Sequence, residues 1–249
     1  MTTLLVVVIL IVLAVAYYYI INFYNIRGQY FSIKGMADKA LESFAKAYDR
    51  KPNSNNTLNY GYLLLRSGEY DKAEIIINSA FLLSRITEDD KNRARMMLAL
   101  LNWKRGNLDE AIEIYENLLA KGENTTIYAN LGFLYIEKGD IEVAFEFNKK
   151  AYEYNDANNV IADNFAECCY AMGDKDKAYD VLKNAVSSNM PIAENYYHFA
   201  RLLFERKEYD EALKHIGFAK KMSINSLSGI TMQDVEALEK EISDENRES

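Results

Sequence analysis

The chain is poor in residues that break, cross-link or catalyse. Two prolines and eleven glycines among 249 residues leave few sharp breaks, which favours a mostly helical protein. The only cysteines, Cys168 and Cys169, are adjacent, so they cannot form a disulfide framework. There is no CxxC or Cys/His zinc spacing either. This usage suits a reducing compartment. His198 and His215 are the only histidines, and each is expected to be a surface or half-buried imidazole. Phosphate loops, nucleotide fingerprints and nucleophile elbows are missing. Positive charge is also short: 29 Lys and Arg stand against 37 Asp and Glu, a formal net charge of −8. Such a surface repels phosphate backbones, so nucleic acid is not an expected ligand. The expectation is therefore a protein without catalysis, cofactor or metal.

What is present begins with a charge-free run, Leu4 to Ile21, in which thirteen of eighteen residues are Leu, Ile or Val. As a helix it covers roughly 27 Å, close to the hydrocarbon thickness of a bilayer. Insertion would gain roughly 4–8 kcal/mol as an upper figure. Tyr17, Tyr18, Tyr19, Phe23 and Tyr24 cluster at one end, as in an interfacial aromatic belt. Ala14-Val15-Ala16 would fit a signal-peptidase site, but Met1-Thr2-Thr3 lacks a positive n-region and the apolar run continues past it. The reading is an uncleaved single-pass anchor, residues 1–24. Arg27, Lys34 and Lys39 follow the span, so the positive-inside rule puts the N-terminus outside and the body in the cytoplasm. With no proline or glycine between Leu4 and Arg27, one continuous helix from about Leu4 to Ile33 is expected.

The rest of the chain repeats itself. GMADKALESFAKAY, GEYDKAEIIINSAF, GNLDEAIEIYENLL, GDIEVAFEFNKKAY, GDKDKAYDVLKNAV and KEYDEALKHIGFAK align on Ala40, Ala73, Ala111, Ala144, Ala178 and Ala212. Their spacings of 33, 38, 33, 34 and 34 signal stacked units of two helices each. Twelve residues before each alanine stands Gly28, Gly61, Ala99, Gly132, Ala166 or Ala200. Small residues there let two helices approach closely. Gly35, Gly68, Gly106, Gly139 and Gly173 suit the left-handed residue that ends a helix, and Lys207 in the sixth unit predicts a slightly different turn. Asp38, Asp71, Asp109, Glu142, Asp176 and Asp210 fall in the first turn of the following helix, where an acid meets free N–H groups. The 38-residue spacing predicts longer helices or a longer loop around LLSRITEDDKNRAR. After the last unit, Thr231 and Asp234 form a possible capping box, followed by a stripe of Met232, Val235, Leu238 and Ile242.

The period of 34, the small–small spacing and the G-x-x-[DE]-x-A core resemble the tetratricopeptide repeat (TPR) family. The resemblance implies an all-α solenoid of six units, about 21–53, 54–87, 92–124, 125–158, 159–192 and 193–226. A capping helix over 227–243 and a disordered tail over 244–249 follow. TPR units behind one N-terminal span also resemble the layout of a bacterial envelope regulator, without its four-cysteine metal module.

In TPR arrays the upstream helices line the concave face, with positions 2, 5, 9, 12 and 13 pointing into it. Carried over, these positions give Leu58, Tyr62, Leu65 and Arg66, then Arg93, Met96, Leu100, Trp103 and Lys104. The fourth unit supplies Ala129, Phe133 and Ile136, the fifth Asp163, Glu167 and Tyr170, and the sixth Tyr197, Arg201 and Phe204. This aromatic and aliphatic strip suits a protein or peptide segment that is apolar or amphipathic. The implied function is a membrane-anchored scaffold or adaptor with a membrane-proximal partner. The alternatives are an exported envelope-assembly scaffold, for which the sequons at Asn55 and Asn124 would matter, and an enzyme with an unrecognised site.

Overall fold

The computed structural model describes residues 2–188 and 190–248 and contains, among them, thirteen helices and no strand. These are α1 (Thr2–Ile33), α2 (Ala37–Arg50), α3 (Ser54–Arg66), α4 (Tyr70–Ala80), α5 (Glu88–Lys104), α6 (Leu108–Leu119), α7 (Thr125–Lys138), α8 (Ile141–Tyr154), α9 (Asn159–Ala171), α10 (Lys175–Val186), α11 (Ala193–Glu205), α12 (Tyr209–Ala219) and α13 (Met232–Glu248). The chain packs into two compact units, Met1–Leu98 and Ala99–Ser249, whose boundary falls inside α5.

Each hairpin closes on a left-handed residue. Gly35, Gly68, Gly106, Gly139 and Gly173 have φ between 68° and 88°. Lys207 adopts the same region at φ 63°, so the sixth turn keeps the shape of the others despite its side chain. The six key alanines are fully buried, as are Ala99, Ala166 and Ala200. Gly61 shows why the partner position is small: a Cβ there would lie 2.5 Å from Ile77 Cγ1. The expected acids occupy the first turns, yet the observed side-chain caps are Asp140 to Val143 N and Asp174 to Lys177 N, one residue before Ile141 and Lys175. The long spacing is absorbed in two ways. Residues 81–87 precede α5, and α5 itself has 17 residues where α3, α9 and α11 have 13.

In the first unit α1 packs on α2, α2 on α3 and α3 on α4. The continuous helix expected over Leu4–Ile33 is present within α1, but it bends by 60° between Leu4–Ile20 and Asn22–Ile33. Arg50 Nη1 donates to Ile20 O at 3.4 Å, so a side chain meets the backbone ladder at the bend. Asn22–Ile33 serves as the upstream helix of the first hairpin, with Gly28 against the Phe44 ring. Leu4–Ile20 makes no such packing: each residue from Leu4 to Ile20 is exposed. No single described helix is long and apolar enough to cross a membrane, and only the bent pair meets that test.

In the second unit the upstream helices stack as α7 on α9, α9 on α11 and α11 on α13. Helix α13 therefore continues the row as an upstream helix would. Its capping box is formed: Thr231 N donates to Asp234 Oδ2 at 2.7 Å and Asp234 N to Thr231 Oγ1 at 3.2 Å. Val235, Leu238 and Ile242 are buried, while Met232 is exposed. The helix runs on to Glu248, past the expected boundary at 243 and through most of the segment read as a disordered tail. Asn246 Nδ2 donates to Asp210 Oδ1 at 3.1 Å in that stretch.

Candidate functional site: the upstream-helix strip

One rule organises the strip. Side chains one repeat apart in sequence touch across neighbouring upstream helices. In the first unit Arg93 Nη2 donates to Asn59 Oδ1 at 2.5 Å, 34 residues away. Tyr62 is exposed and carries the Arg66 guanidinium 5.9 Å from its ring centre. Leu58 and Leu65 are fully buried, so these two side chains belong to the core and offer no surface. Met96 is half-buried.

The second unit holds the aromatic part. Trp103 and Phe133 meet edge to face at 4.8 Å, and Trp103 Nε1 donates to Glu137 Oε2 at 3.0 Å. Lys104 Nζ sits 3.7 Å from the Trp103 ring centre. Burial lowers the Lys104 pKa, partly offset by Glu137. Leu100 and Ile136 are half-buried beside them, whereas Ala129 is buried and its carbonyl accepts from Asn164 Nδ2 at 2.8 Å.

Further along, the strip turns polar. Asp163 is buried, and both its carboxylate oxygens lie 3.1 Å from His198 Nδ1. Asn195 Nδ2 donates to Asp163 Oδ1 at 3.2 Å. Arg201 Nη2 donates to Glu167 Oε1 at 2.5 Å, and Glu167 Oε2 lies 3.5 Å from His198 Nε2. The Arg201 guanidinium also covers the Tyr170 ring at 4.1 Å. Tyr170 Oη donates to Glu205, which pairs with Lys175 at 2.7 Å. Burial alone would lower the His198 pKa, but the Asp163 and Glu167 carboxylates outweigh it and hold the pKa above the usual histidine value. Tyr197 and Phe204 remain half-buried.

Both histidines are thus buried, contrary to the surface or half-buried expectation. His198 was drawn in by its acids, and His215 by the rings of Tyr196, Phe199 and Phe218. Glu137, Asn195, His198 and Glu205 were absent from the predicted strip. The signal for them was in the sequence: 103 to 137 and 167 to 201 are 34 apart, and 163 to 198 and 170 to 205 are 35 apart. Cys168 and Cys169 are buried free thiols, and burial pushes their pKa values up to about 12 and about 11. Thiolate chemistry is suppressed at both. Among the described residues no group of three or more His, Cys, Asp or Glu is placed to hold a metal ion.

Known proteins agree with this architecture. The family described as tetratricopeptide repeat matches residues 80–126 and 96–159. The family of anaphase-promoting complex (cyclosome) subunit 3 matches residues 137–219. A TPR repeat-containing protein of Methanocaldococcus jannaschii is 28% identical over 162 residues, 64% of this chain and 28% of that protein. The BBSome complex member BBS4 of Bos taurus is 28% identical over 159 residues, 62% of this chain and 29% of that one. The chain thus matches less than a third of the length of these curated relatives. Among solved structures, a thermophilic TPR protein of Thermus thermophilus superposes with a TM-score of 0.60 at 22% identity, over 77% of this chain and 99% of that one. A chain of the APC/C hetero-tetramer Cut9–Hcn1 gives 0.63 at 17% identity, over 90% and 46%. At such identities the structural likeness speaks to the fold. The body of this chain folds as an all-α, TPR-like solenoid, and the tetratricopeptide repeat family itself is matched over residues 80–159.

Proposed function

We propose that the chain is a membrane-anchored adaptor that holds a protein or peptide segment on its upstream-helix strip. The observation that carries the binding half is the Trp103–Phe133 pair. The two rings pack on each other at 4.8 Å yet stay half-buried, with Lys104 and Glu137 at their rim. A partly open aromatic pair with a polar rim is the composition of an interface anchor. Leu100, Ile136, Tyr170, Tyr197 and Phe204 extend the same strip within the second unit. In the first unit Tyr62, Arg66, Arg93 and Met96 are the members with side chains still partly open.

The anchoring half rests on Leu4–Ile20. Seventeen charge-free residues form a helix of roughly 25 Å, at the short end of what a bilayer accepts. All of them are exposed, a costly arrangement in water that lipid would relieve. The bend would then let the repeats lie close to the headgroups, with the body on the cytoplasmic side as Arg27, Lys34 and Lys39 favour.

Two measurements test the halves separately. Trp103→Ala with Phe133→Ala should leave helicity and melting near wild type and abolish binding to a partner first identified by cross-linking. Retained binding would move the site elsewhere. Leu10→Arg with Leu13→Arg should abolish flotation with phosphatidylcholine/phosphatidylglycerol vesicles, since each arginine costs about 2.5–3.5 kcal/mol at a span centre. Flotation unchanged by both arginines would remove the anchor. An alkaline phosphatase reporter after Ser249 should be inactive, and activity would place the body outside.

A further inference from the structure

The linker between α12 and α13 is out of proportion. It has twelve residues, 220–231, whereas α6–α7, α8–α9 and α10–α11 are joined by five, four and six. Its central stretch, SINSLSGIT over 223–231, carries no charge. It does not run directly to the next helix. A Cβ on Gly229 would lie 3.0 Å from Phe133 Cε2, so the linker backbone sits against the ring of α7. Gly229 N also donates to Glu194 Oε1 on α11 at 3.3 Å. Phe133, position 9 of unit four, belongs to the strip, and Glu194 stands on α11 three residues before the strip residue Tyr197. The linker therefore reaches back along the row of upstream helices to the ring on which Trp103 packs.

Its conformation is set locally and at both ends. Ser228 N donates to Asn225 O at 3.0 Å, Asn225 N to Ser228 Oγ at 3.3 Å and Leu227 N to Asn225 Oδ1 at 3.1 Å, which closes a compact turn. Met222 and Ile224 pack on the C-terminal core, and Ile230 is buried within it. The middle of the linker, by contrast, is only half-buried, and Gly229 is open on the side away from Phe133. The ends are fixed, and Gly229 lies against Phe133 of the aromatic pair.

We propose that residues 223–230 are an intramolecular occupant of the strip, and that the partner is an uncharged segment with a glycine or similarly small residue that displaces this turn from Phe133. This rests on the strip being the binding surface. The turn shows what fits there: a backbone without a Cβ against the ring, and an N–H aimed at Glu194. Tethering gives the turn an effective concentration of the order of millimolar, so it suppresses weak segments and lets through those that bind more tightly.

The test uses the full chain in mild detergent and a fluorescein-labelled peptide of residues 222–231 as the probe. Trp103, the only tryptophan, reports on the ring pair by its own emission. In Gly229→Val the branched side chain crowds the Phe133 ring, which should push the turn off it and open the strip. A second variant, Asn225→Ala with Ser228→Ala, loosens the turn without touching Ile230 or α13. Both should bind the peptide at least about tenfold more tightly than wild type and shift Trp103 emission beforehand. Adding Phe133→Ala, or replacing the peptide glycine by valine, should abolish the gain. Equal affinity in wild type and both opened variants, or no binding to any of them, overturns the proposal. The two readings fail apart: if Trp103→Ala with Phe133→Ala abolishes partner binding while the peptide ignores the opened variants, the strip stands and the occupant falls. If that double variant keeps its partner, the strip itself falls.

Discussion

The two terminal helices differ in what finishes them. In α13, Val235, Leu238 and Ile242 are buried against the row formed by α11 and α12, and the other face is acidic and wet. In Leu4–Ile20 every face is apolar and every face is exposed. A solenoid leaves an unsatisfied surface at each end, and an amphipathic helix with one polar face is the solution that water allows. The α13 end uses it. A helix that is hydrophobic all round cannot serve as such a cap, because burying one side leaves the other in water. The difference teaches that α13 is completed by its own chain, whereas Leu4–Ile20 needs something that is not protein surface of its own unit.

The largest effect should come from placing a charge in each helix. Val235→Asp buries an unpaired carboxylate at a fully buried position and should destabilise the second unit by about 3–4 kcal/mol in urea unfolding. Leu10→Arg should change the urea unfolding of the first unit by less than about 0.5 kcal/mol, because Leu10 is 60% exposed. A comparable loss from Leu10→Arg would mean that this helix is packed in solution, and the contrast between the ends would vanish.

A smaller effect, of opposite sign at the two ends, should come from the hairpin turns. Lys207 holds φ 63° immediately before α12, the helix on which α13 packs. A non-glycine residue in that region is strained by roughly 1 kcal/mol. Lys207→Gly should therefore stabilise the second unit by about 0.5–1 kcal/mol, net of the added freedom of the unfolded chain. Gly35→Ala, in the turn after Asn22–Ile33 at φ 68°, should cost the first unit about 1 kcal/mol although nothing lies within 4 Å to clash. Thermal melts of both variants check the signs, and a stabilising Gly35→Ala would show that φ is not what fixes glycine there.

The glycine turns are legible in the sequence because a spacing that recurs from unit to unit outweighs the ambiguity of any one helix, whereas the Lys207 turn, expected to differ, keeps the same left-handed geometry. The buried alanines follow from the same regularity, and the capping box at Thr231 from the three-residue spacing to Asp234. The 60° bend was not legible, since no proline or glycine marks it and the contact at Ile20 comes from Arg50, thirty residues on. The strip was half legible. Position within a repeat found Trp103, Phe133, Asp163 and Arg201, but burial of Leu58 and Leu65 depends on how neighbouring helices seat. Pairs such as Asp163–His198 are visible only when two repeats are read against each other. The path of residues 223–230 is tertiary throughout: an uncharged linker looks the same in sequence whether it crosses open solvent or a ring.

The smallest effect concerns pH at the seat of α13, where two buried histidines should act in opposite directions. His198, on α11, is held above its unfolded pKa of about 6.5 because Asp163 and Glu167 outweigh burial and the nearby Arg201. Its charged form is favoured by folding, so its contribution is fully present below that value and is lost as pH rises through the folded pKa. His215, on α12, is lowered chiefly by burial among Tyr196, Phe199 and Phe218, with Glu211 opposing and Lys214 assisting. Its neutral form is favoured, so its contribution is present above about pH 6.5 and is lost as pH falls through the folded pKa. In wild type the two losses flank the ordinary histidine value, so stability should be greatest near pH 6.5 and fall to either side. His198→Gln should leave a second unit that loses melting temperature below about pH 6.5 and is flat above it. His215→Phe should leave one that loses melting temperature as pH climbs above that value. Melts from pH 5.5 to 8.5 read both, and parallel profiles for the two variants would show that these imidazoles do not carry opposite proton linkage. Leu4–Ile20 contains no Asp, Glu, His, Lys or Arg, so vesicle flotation should stay constant over the same window while the α13 end responds.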